Sequence, residues 1–217
     1  ETMRPTRKEK ETIMLISEAN TITGGLGKPS KMPGKAYGLP AKECKVGAAL
    51  RKVKGSVCEG CYAFKGRYAF DNVLSAEYRR LESLADPRWI EAMVKLISGR
   101  VQWFRWHDAG DLQNADHLRA IIEIARQCPE TSFWLPTKEN GLVRRYLATG
   151  ATFPINLVVR VSGAMVDGKP PKGFKHTSTV NRHSTPTGHE CPAQYQSNEC
   201  GPCRACWDQT VPNVTYP

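Results

Sequence analysis

Apolar and polar positions change period repeatedly between residues 101 and 161, and each change marks an element. VQWFRW (101–106), TSFWLP (131–136) and INLVVRV (155–161) read as strands. NADHLRAIIEIARQC (114–128) and NGLVRRYLATG (140–150) place apolar residues three and four apart and read as helices. A β-α-β-α-β series with short loops implies a parallel sheet with right-handed crossovers. Upstream, DNVLSAEYRRLESL (71–84) predicts a helix that Asp71 can cap. DPRWIEAMVKLIS (86–98) predicts another, with Asp86 as N-cap, Pro87 at the first helical position, and Trp89, Ile90, Met93, Val94 and Ile97 in the core. TIMLIS (12–17) is β-prone, and the Gly, Pro and Lys of 23–41 make that stretch loop. This loop fails as a phosphate-binding P-loop, because Pro29 follows Gly27-Lys28 and Ile22 stands where the first glycine is needed. Beyond 163 the chain reads as loop, with one further strand near 177–181.

The strands are not apolar throughout. Asn156, Arg160 and Ser162 share one face at period two, opposite Leu157, Val159 and Val161. Arg105 and His107 likewise oppose Phe104 and Trp106. Parallel strands covered by helices on both sides are apolar on both faces, and a buried arginine needs a partner. The expected fold is therefore α/β, a partial TIM-like (β/α) barrel whose polar face surrounds a ligand; a structural ion pair is the alternative. Five or six parallel strands are expected, because 217 residues fall short of the ~250 typical of a complete barrel. HDAGD (107–111), Thr137-Lys138-Glu139 and Ser162-Gly163 follow successive strands. They fall on the carboxyl edge of the sheet, where α/β proteins bind ligands.

Composition adds a partner and a compartment. Hydrophobic residues make up 40% and charged residues 24%, as in ordinary globular proteins. No apolar run is long enough to cross a bilayer, and the charged N-terminus leads into no signal-peptide core. A cytoplasmic protein is expected. Net charge is +10, and residues 1–80 hold 16 Lys/Arg against 8 Asp/Glu, or +8 of it. That skew suggests DNA, RNA or a nucleotide as partner, against the alternative of a solubilising surface.

Eight cysteines in a reducing compartment suggest metal or redox chemistry rather than disulfides. Cys44, Cys58 and Cys61 are spaced C-x13-C-x2-C; Cys191, Cys200, Cys203 and Cys206 are spaced C-x8-C-x2-C-x2-C; Cys128 is left over as a packed thiol. Four thiolates fill a coordination shell, whereas three leave a position open for chemistry, unless a histidine such as His107 closes the site as Cys3His. The crowded C-terminal run favours a cubane iron–sulfur cluster over zinc. Cys200-Gly-Pro-Cys203 imitates a thioredoxin motif, but only 14 residues follow Cys203, with Pro212 among them, so no thioredoxin domain fits.

A three-cysteine loop after a first strand, βα units, a polar glycine-containing turn and a C-terminal cysteine cluster together resemble a radical S-adenosylmethionine (SAM) enzyme of an atypical, small kind. The usual spacing is C-x3-C-x2-C with an aromatic residue before the third cysteine. Here the first gap is thirteen, Gly60 precedes Cys61 and Tyr62 follows it. More closely, LGKPSKMPGKAYGLPAKEC (26–44), GSVCEGCYAFKGRY (55–68) and CGPCRACWD (200–208) resemble the gene product eighty-eight family of small bacteriophage proteins.

The superfamily resemblance implies a [4Fe–4S] cluster on Cys44, Cys58 and Cys61, with SAM on the fourth iron through its amino and carboxylate groups. An electron donor of flavodoxin or ferredoxin type would drive cleavage of SAM to methionine and a 5′-deoxyadenosyl radical that takes hydrogen from the substrate. By position, HDAGD resembles the turn that contacts SAM. Asp108 and Asp111 would accept from its amino group, and His107, Gly110 and Tyr62 would line the same region. Arg160 and Ser162 would hold the carboxylate or ribose, with Lys138 pairing the carboxylate. Cys191, Cys200, Cys203 and Cys206 would carry a second [4Fe–4S] cluster, with zinc as the alternative. The chain would divide into a barrel (1–185) and a C-terminal cluster segment (186–217).

Three functions compete at this point. One is a radical SAM enzyme acting on an anionic substrate such as a phage DNA base or nucleotide. Another is a zinc-containing nucleic-acid-binding protein without catalysis, and the third is a metal-dependent hydrolase using His107, Asp108 and Asp111.

Overall fold

The computed structural model describes residues 14–217. Seven strands form one sheet: β1 (Lys35–Tyr37), β2 (Trp103–Trp106), β3 (Ser132–Thr137), β4 (Leu157–Val166), β5 (Thr177–Val180), β6 (His189–Glu190) and β7 (Asn213–Tyr216). All pairings are parallel, and the order across the sheet is β1-β2-β3-β4-β5-β7-β6. The helices are α1 (Ile16–Thr23), α2 (Lys45–Leu50), α3 (Asp71–Ser83), α4 (Trp89–Ile97), α5 (Ala115–Gln127) and α6 (Asn140–Ala148). The alternating series β2-α5-β3-α6-β4 lies where the periodicity places it. Asn114 caps α5 by accepting from the His117 N–H at 2.8 Å. Asp86 accepts from the Arg88 N–H at 2.8 Å in the turn before α4, whereas Asp71 sits in the first turn of α3 with no capping bond.

The sheet is longer than expected, seven strands instead of five or six. The additions are β1, inside the Gly- and Pro-rich stretch, and β6 and β7, in the C-terminal segment. The β-prone run 12–17 lies partly outside the described residues, and from Ile16 the chain is helical, not extended. There Ala19 and Ile22 pack with Met14 against Ala92 and Leu96 of α4, and helical spacing suits that contact better than alternation. Among the described residues no helix is long and apolar enough to cross a membrane.

The two sheet faces differ, as the strand alternation implies. Phe104, Trp106, Phe133, Leu135, Leu157, Val159 and Val161 are buried in one cluster with side chains of α4, α5 and α6, among them Met93, Ile121 and Val143. At ~25 cal/mol per Å² of apolar surface, such side chains dominate the folding energy. The opposite face carries Trp103, Arg105, Trp134 and Arg160, and the C-terminal segment covers it. Trp207 packs edge-on to Trp103 and Trp134, with ring centroids 5.6 and 5.3 Å away. Its Nε1 donates to the Phe104 carbonyl at 2.9 Å.

Adjacent parallel strands are usually joined by a helix. Between β6 and β7 the connection is the four-cysteine stretch itself, with two 3-10 turns (Pro192–Tyr195 and Ala205–Trp207). Residues after 186 thus extend the same sheet through β7, which pairs with β5.

Candidate metal and cofactor site

Cys44, Cys58 and Cys61 come together at the carboxyl edge of β2 and β3. Cys44 is the N-cap of α2, and the Glu139 carboxylate from the β3–α6 loop accepts from the Val46 N–H at 2.9 Å, tying that helix start to the sheet. Cys58 and Cys61 form a tight turn, the Cys61 N–H donating to the Cys58 carbonyl at 3.2 Å. That turn hangs on the far end of β4: the Val57 N–H donates to Ala164 at 2.9 Å and the Val166 N–H to Gly55 at 3.0 Å. Gly47 leaves the space between the thiols open. A β-carbon there would lie 3.0 Å from the Cys44 Cβ and 3.7 Å from both the Cys44 and Cys58 sulfurs.

Electrostatics opposes empty thiolates at this site. Burial, then Asp111 and the neighbouring thiols, push Cys44 up to about 12. Burial raises Cys58, with Lys138 pulling the other way. A bound metal inverts this balance, because coordination deprotonates a thiol outright. Among the described residues, no three His, Cys, Asp or Glu side chains are grouped closely enough to hold a single metal ion.

The HDAGD turn lies beside the thiols, pressed onto the strand that leads to Cys44. Gly110 has φ 78°, and a β-carbon there would stand 2.6 Å from the Leu39 carbonyl oxygen, so glycine is required. Asp108 is framed by two tyrosines: Tyr62 donates to its carbonyl at 2.5 Å and Tyr68 to its Oδ2 at 3.3 Å. Arg105 donates to the Tyr62 hydroxyl at 3.2 Å and stacks over Trp134, 4.6 Å from the ring centroid. Asp111 is buried and takes three donors, from Thr137 Oγ1 (2.6 Å), the Leu112 N–H (2.7 Å) and the Lys138 N–H (2.8 Å). It locks the ends of β2 and β3 together.

A second carboxylate stands near Asp108. Glu77 of α3 is 3% exposed, and burial, reinforced by Asp108, raises its pKa from 4.5 to about 7. Arg80 on the same helix offsets part of that rise. Sequence reasoning missed Glu77, although a signal exists: it shares the apolar stripe of α3 with Val73, Leu74 and Leu81. The proton on Glu77 is bound more tightly in the folded chain than in the unfolded one. Its stabilising contribution is thus complete below pH 4.5 and is lost as pH rises through about 7. Glu77→Gln is expected to gain stability relative to the wild type across that window in urea titrations at stepped pH. A constant difference would contradict the assignment.

Two of the expected ligand contacts, His107 and Arg160, are placed elsewhere by the fold, and Ser162 pairs with a neighbouring hydroxyl. His107 does not share a face with Arg105. Its φ of 55° turns the ring to the helix side, against Trp106 and His117 (5.3 Å between the imidazole centroids). Neither ring nitrogen has a hydrogen-bond partner, and burial holds its pKa well below 6.5. That placement removes the basis for a Cys3His site or for a hydrolase triad with Asp108 and Asp111. Arg160 is fully buried, and all five of its N–H groups are used. They donate to the carbonyls of Cys206, Thr177, Val211, Ala205 and Asp208 at 2.7–3.4 Å, so none is left for a SAM carboxylate. The Ser162 hydroxyl accepts from Ser178 at 3.1 Å. Asn156 ties the end of α5 by donating to the Ala125, Cys128 and Thr131 carbonyls.

The four C-terminal cysteines also gather. Burial raises the pKa values of Cys191, Cys200 and Cys206; Cys191 adds to the rise of Cys200 and Cys206, and Cys203 to that of Cys191 and Cys200. His189 Nε2 lies 3.4 Å from the Cys203 sulfur, and the Tyr216 hydroxyl lies 3.3 Å from that of Cys206. The Cys200 N–H donates to the Lys31 carbonyl at 2.9 Å, fastening this turn to the loop before β1. Arg105 lies between the two cysteine groups, bonded to Tyr62 on one side and close enough to Cys200 and Cys206 to offset a little of the rise that burial imposes on their thiols.

Fold and site define a parallel α/β protein with two separate gatherings of cysteines, one at the carboxyl edge of the sheet and one over its polar face. The chain belongs to the gene product 88 family, whose profile matches residues 7–181. The match takes in Cys44, Cys58, Cys61 and strands β1 to β5, and stops before Cys191. No curated protein and no solved structure gives a significant match to the chain.

Proposed function

We propose that this protein is an atypical, small radical SAM enzyme built on a partial (β/α) barrel, acting in the cytoplasm of the infected cell. The observation that carries the reading is the approach of the Cys44 and Cys58 sulfurs beside the bare α-carbon of Gly47, with Cys61 one tight turn from Cys58, at the carboxyl edge of a parallel sheet. In this reading the three thiolates hold a [4Fe–4S] cluster, and the chemistry that such a group supplies when bound is one-electron reductive cleavage of SAM. Asp108 and Glu77 receive the SAM amino group, and Lys138 pairs with its carboxylate. Tyr62 and Tyr68 hold Asp108 in place. Arg160 has a separate task, clamping the C-terminal segment over the polar face.

Cys191, Cys200, Cys203 and Cys206 carry a second cluster in this proposal, with electrons supplied by a flavodoxin- or ferredoxin-type donor. The substrate is anionic, and a nucleic-acid base or nucleotide suits both the charge of +10 and the phage association of the family. The test is anaerobic purification, assay of iron, sulfide and zinc, and addition of SAM with dithionite. Bound iron and sulfide with release of 5′-deoxyadenosine are expected. A colourless zinc protein that releases none would establish the non-catalytic alternative instead.

A further inference from the structure

The segment that follows Cys61 reads YAFKGRYAF (62–70) and folds as two consecutive 3-10 turns. Three of its aromatic rings are exposed: Tyr62 at 54%, Phe64 at 37% and Phe70 at 58%. Two of them are also held in place. Tyr62 is fixed through its hydroxyl by Asp108 and Arg105 and meets Tyr68 edge-on at 5.5 Å. Phe64 has the Arg51 guanidinium over its ring at 4.6 Å, and Arg51 itself is anchored on the Ala41 carbonyl. Exposed aromatics that have already lost their freedom are preorganised surfaces for stacking.

Positive charge surrounds them. Residues 28–70 hold ten Lys/Arg against Glu43 and Glu59, or +8 of the chain's +10. Lys42, Lys45, Lys52, Lys54, Lys65 and Arg67 are exposed. Among the described residues no salt bridge involves any of them. Of the two acids, Glu59 is engaged by the Gly55 N–H at 2.7 Å. Cations interleaved with stacking rings match a single-stranded polynucleotide, which offers phosphates and unstacked bases together. A duplex would engage the cations and leave the rings without partners.

We propose that residues 62–70, with the cations of 42–54, form a platform for single-stranded nucleic acid that delivers a base to the three-cysteine site. The delivery rests on the function proposed above; the binding does not. Stacking on Phe64 and Phe70 supplies affinity that tolerates any sequence, and Lys65, Arg67 and the lysines of 42–54 follow the phosphates.

The test is fluorescence anisotropy on the full chain with labelled oligo-dT, oligo-rU, a duplex and anionic lipid vesicles, over a series of salt concentrations. A single strand is expected to bind at least about tenfold more tightly than the duplex, with log K falling linearly in log salt. The better of oligo-dT and oligo-rU identifies the natural sugar. Phe64→Ala and Phe70→Ala should each weaken binding by about tenfold without changing the salt slope. Phe70→Leu, which keeps the apolar bulk and removes the aromatic face, should do the same. Replacing Lys65 and Arg67 by alanine should flatten the slope. Duplex binding equal to single-strand binding, aromatic variants that bind like the wild type, or a preference for the vesicles would each overturn the platform. Assaying SAM cleavage in the same preparations separates the two proposals. A wild-type chain that releases 5′-deoxyadenosine but shows no preference for the single strand sinks only the platform, and single-strand binding by an iron-free protein sinks only the radical chemistry.

Discussion

Arg160→Met is expected to release the C-terminal segment and to cost about 2–5 kcal/mol of stability, because buried carbonyls lose a charged donor. Methionine can fill part of the volume, but it donates nothing. The carbonyls of Cys206 and Val211, now served by the guanidinium, would lose their donor, whereas those of Ala205 and Asp208 keep the N–H groups of Asp208 and Val211; a buried acceptor without a donor costs about 1–3 kcal/mol. Arg160→Lys should recover little, because an ammonium has three donors on a single atom and cannot reach carbonyls spread around a planar fork. A urea midpoint shifted to lower concentration, with faster proteolysis between 191 and 212, is the expected result. A variant with the wild-type midpoint would mean that the five bonds contribute nothing net. Since a domain commonly has only ~5–15 kcal/mol in hand, this arginine accounts for a large share of what keeps the polar face covered.

Cys58→Ala is expected to abolish 5′-deoxyadenosine release while leaving the fold intact. The thiol is nearly buried, and the turn around it rests on backbone bonds from Val57, Val166 and Cys61 that alanine preserves. The lost function is therefore specific to the ligand set, since two thiolates cannot hold what three do. Iron content should fall by the share of the first site, with the remainder retained by Cys191, Cys200, Cys203 and Cys206. Cys203→Ala should produce the complementary loss of iron. Undiminished SAM cleavage with full iron in Cys58→Ala would remove the three-cysteine loop from the chemistry. Unchanged iron in Cys203→Ala would remove the second cluster.

The periodic middle of the chain was legible. β2, α5, β3, α6 and β4 are each long enough to display their period, and their loops are short enough to dictate parallel pairing. What escaped notice is short or locally contradictory. β1 has three residues inside a stretch dominated by Gly, Pro and Lys, so no alternation can emerge. α2 is six residues after a cysteine N-cap, and Glu139 stabilises its start more than its own composition does. β7 follows Pro212 and becomes a strand because β5 and β6 offer it free edges.

The site divides the same way. Asp108 and Lys138 stand just beyond the ends of β2 and β3, as the alternating series implies. Arg160 was assigned to a ligand because its natural partners, main-chain carbonyls, have no letter in the sequence. His107 was placed by simple alternation, and one positive φ reversed it. Glu77 lay on a helix that the strand-end reasoning never searched.

The insertion of β7 between β5 and β6 also sets a timetable for assembly. A ribosome delivers the three-cysteine loop and its supports on β2, β3 and β4 well before Asn213–Tyr216 exists. The four-cysteine crossover can close only after β7 has emerged and slotted between strands already made. Until then Cys191, Cys200, Cys203 and Cys206 are open to whatever metal or oxidant the cell presents. These four thiols are therefore the last to be enclosed, after the loop that bears Cys44, Cys58 and Cys61 already has its supporting strands.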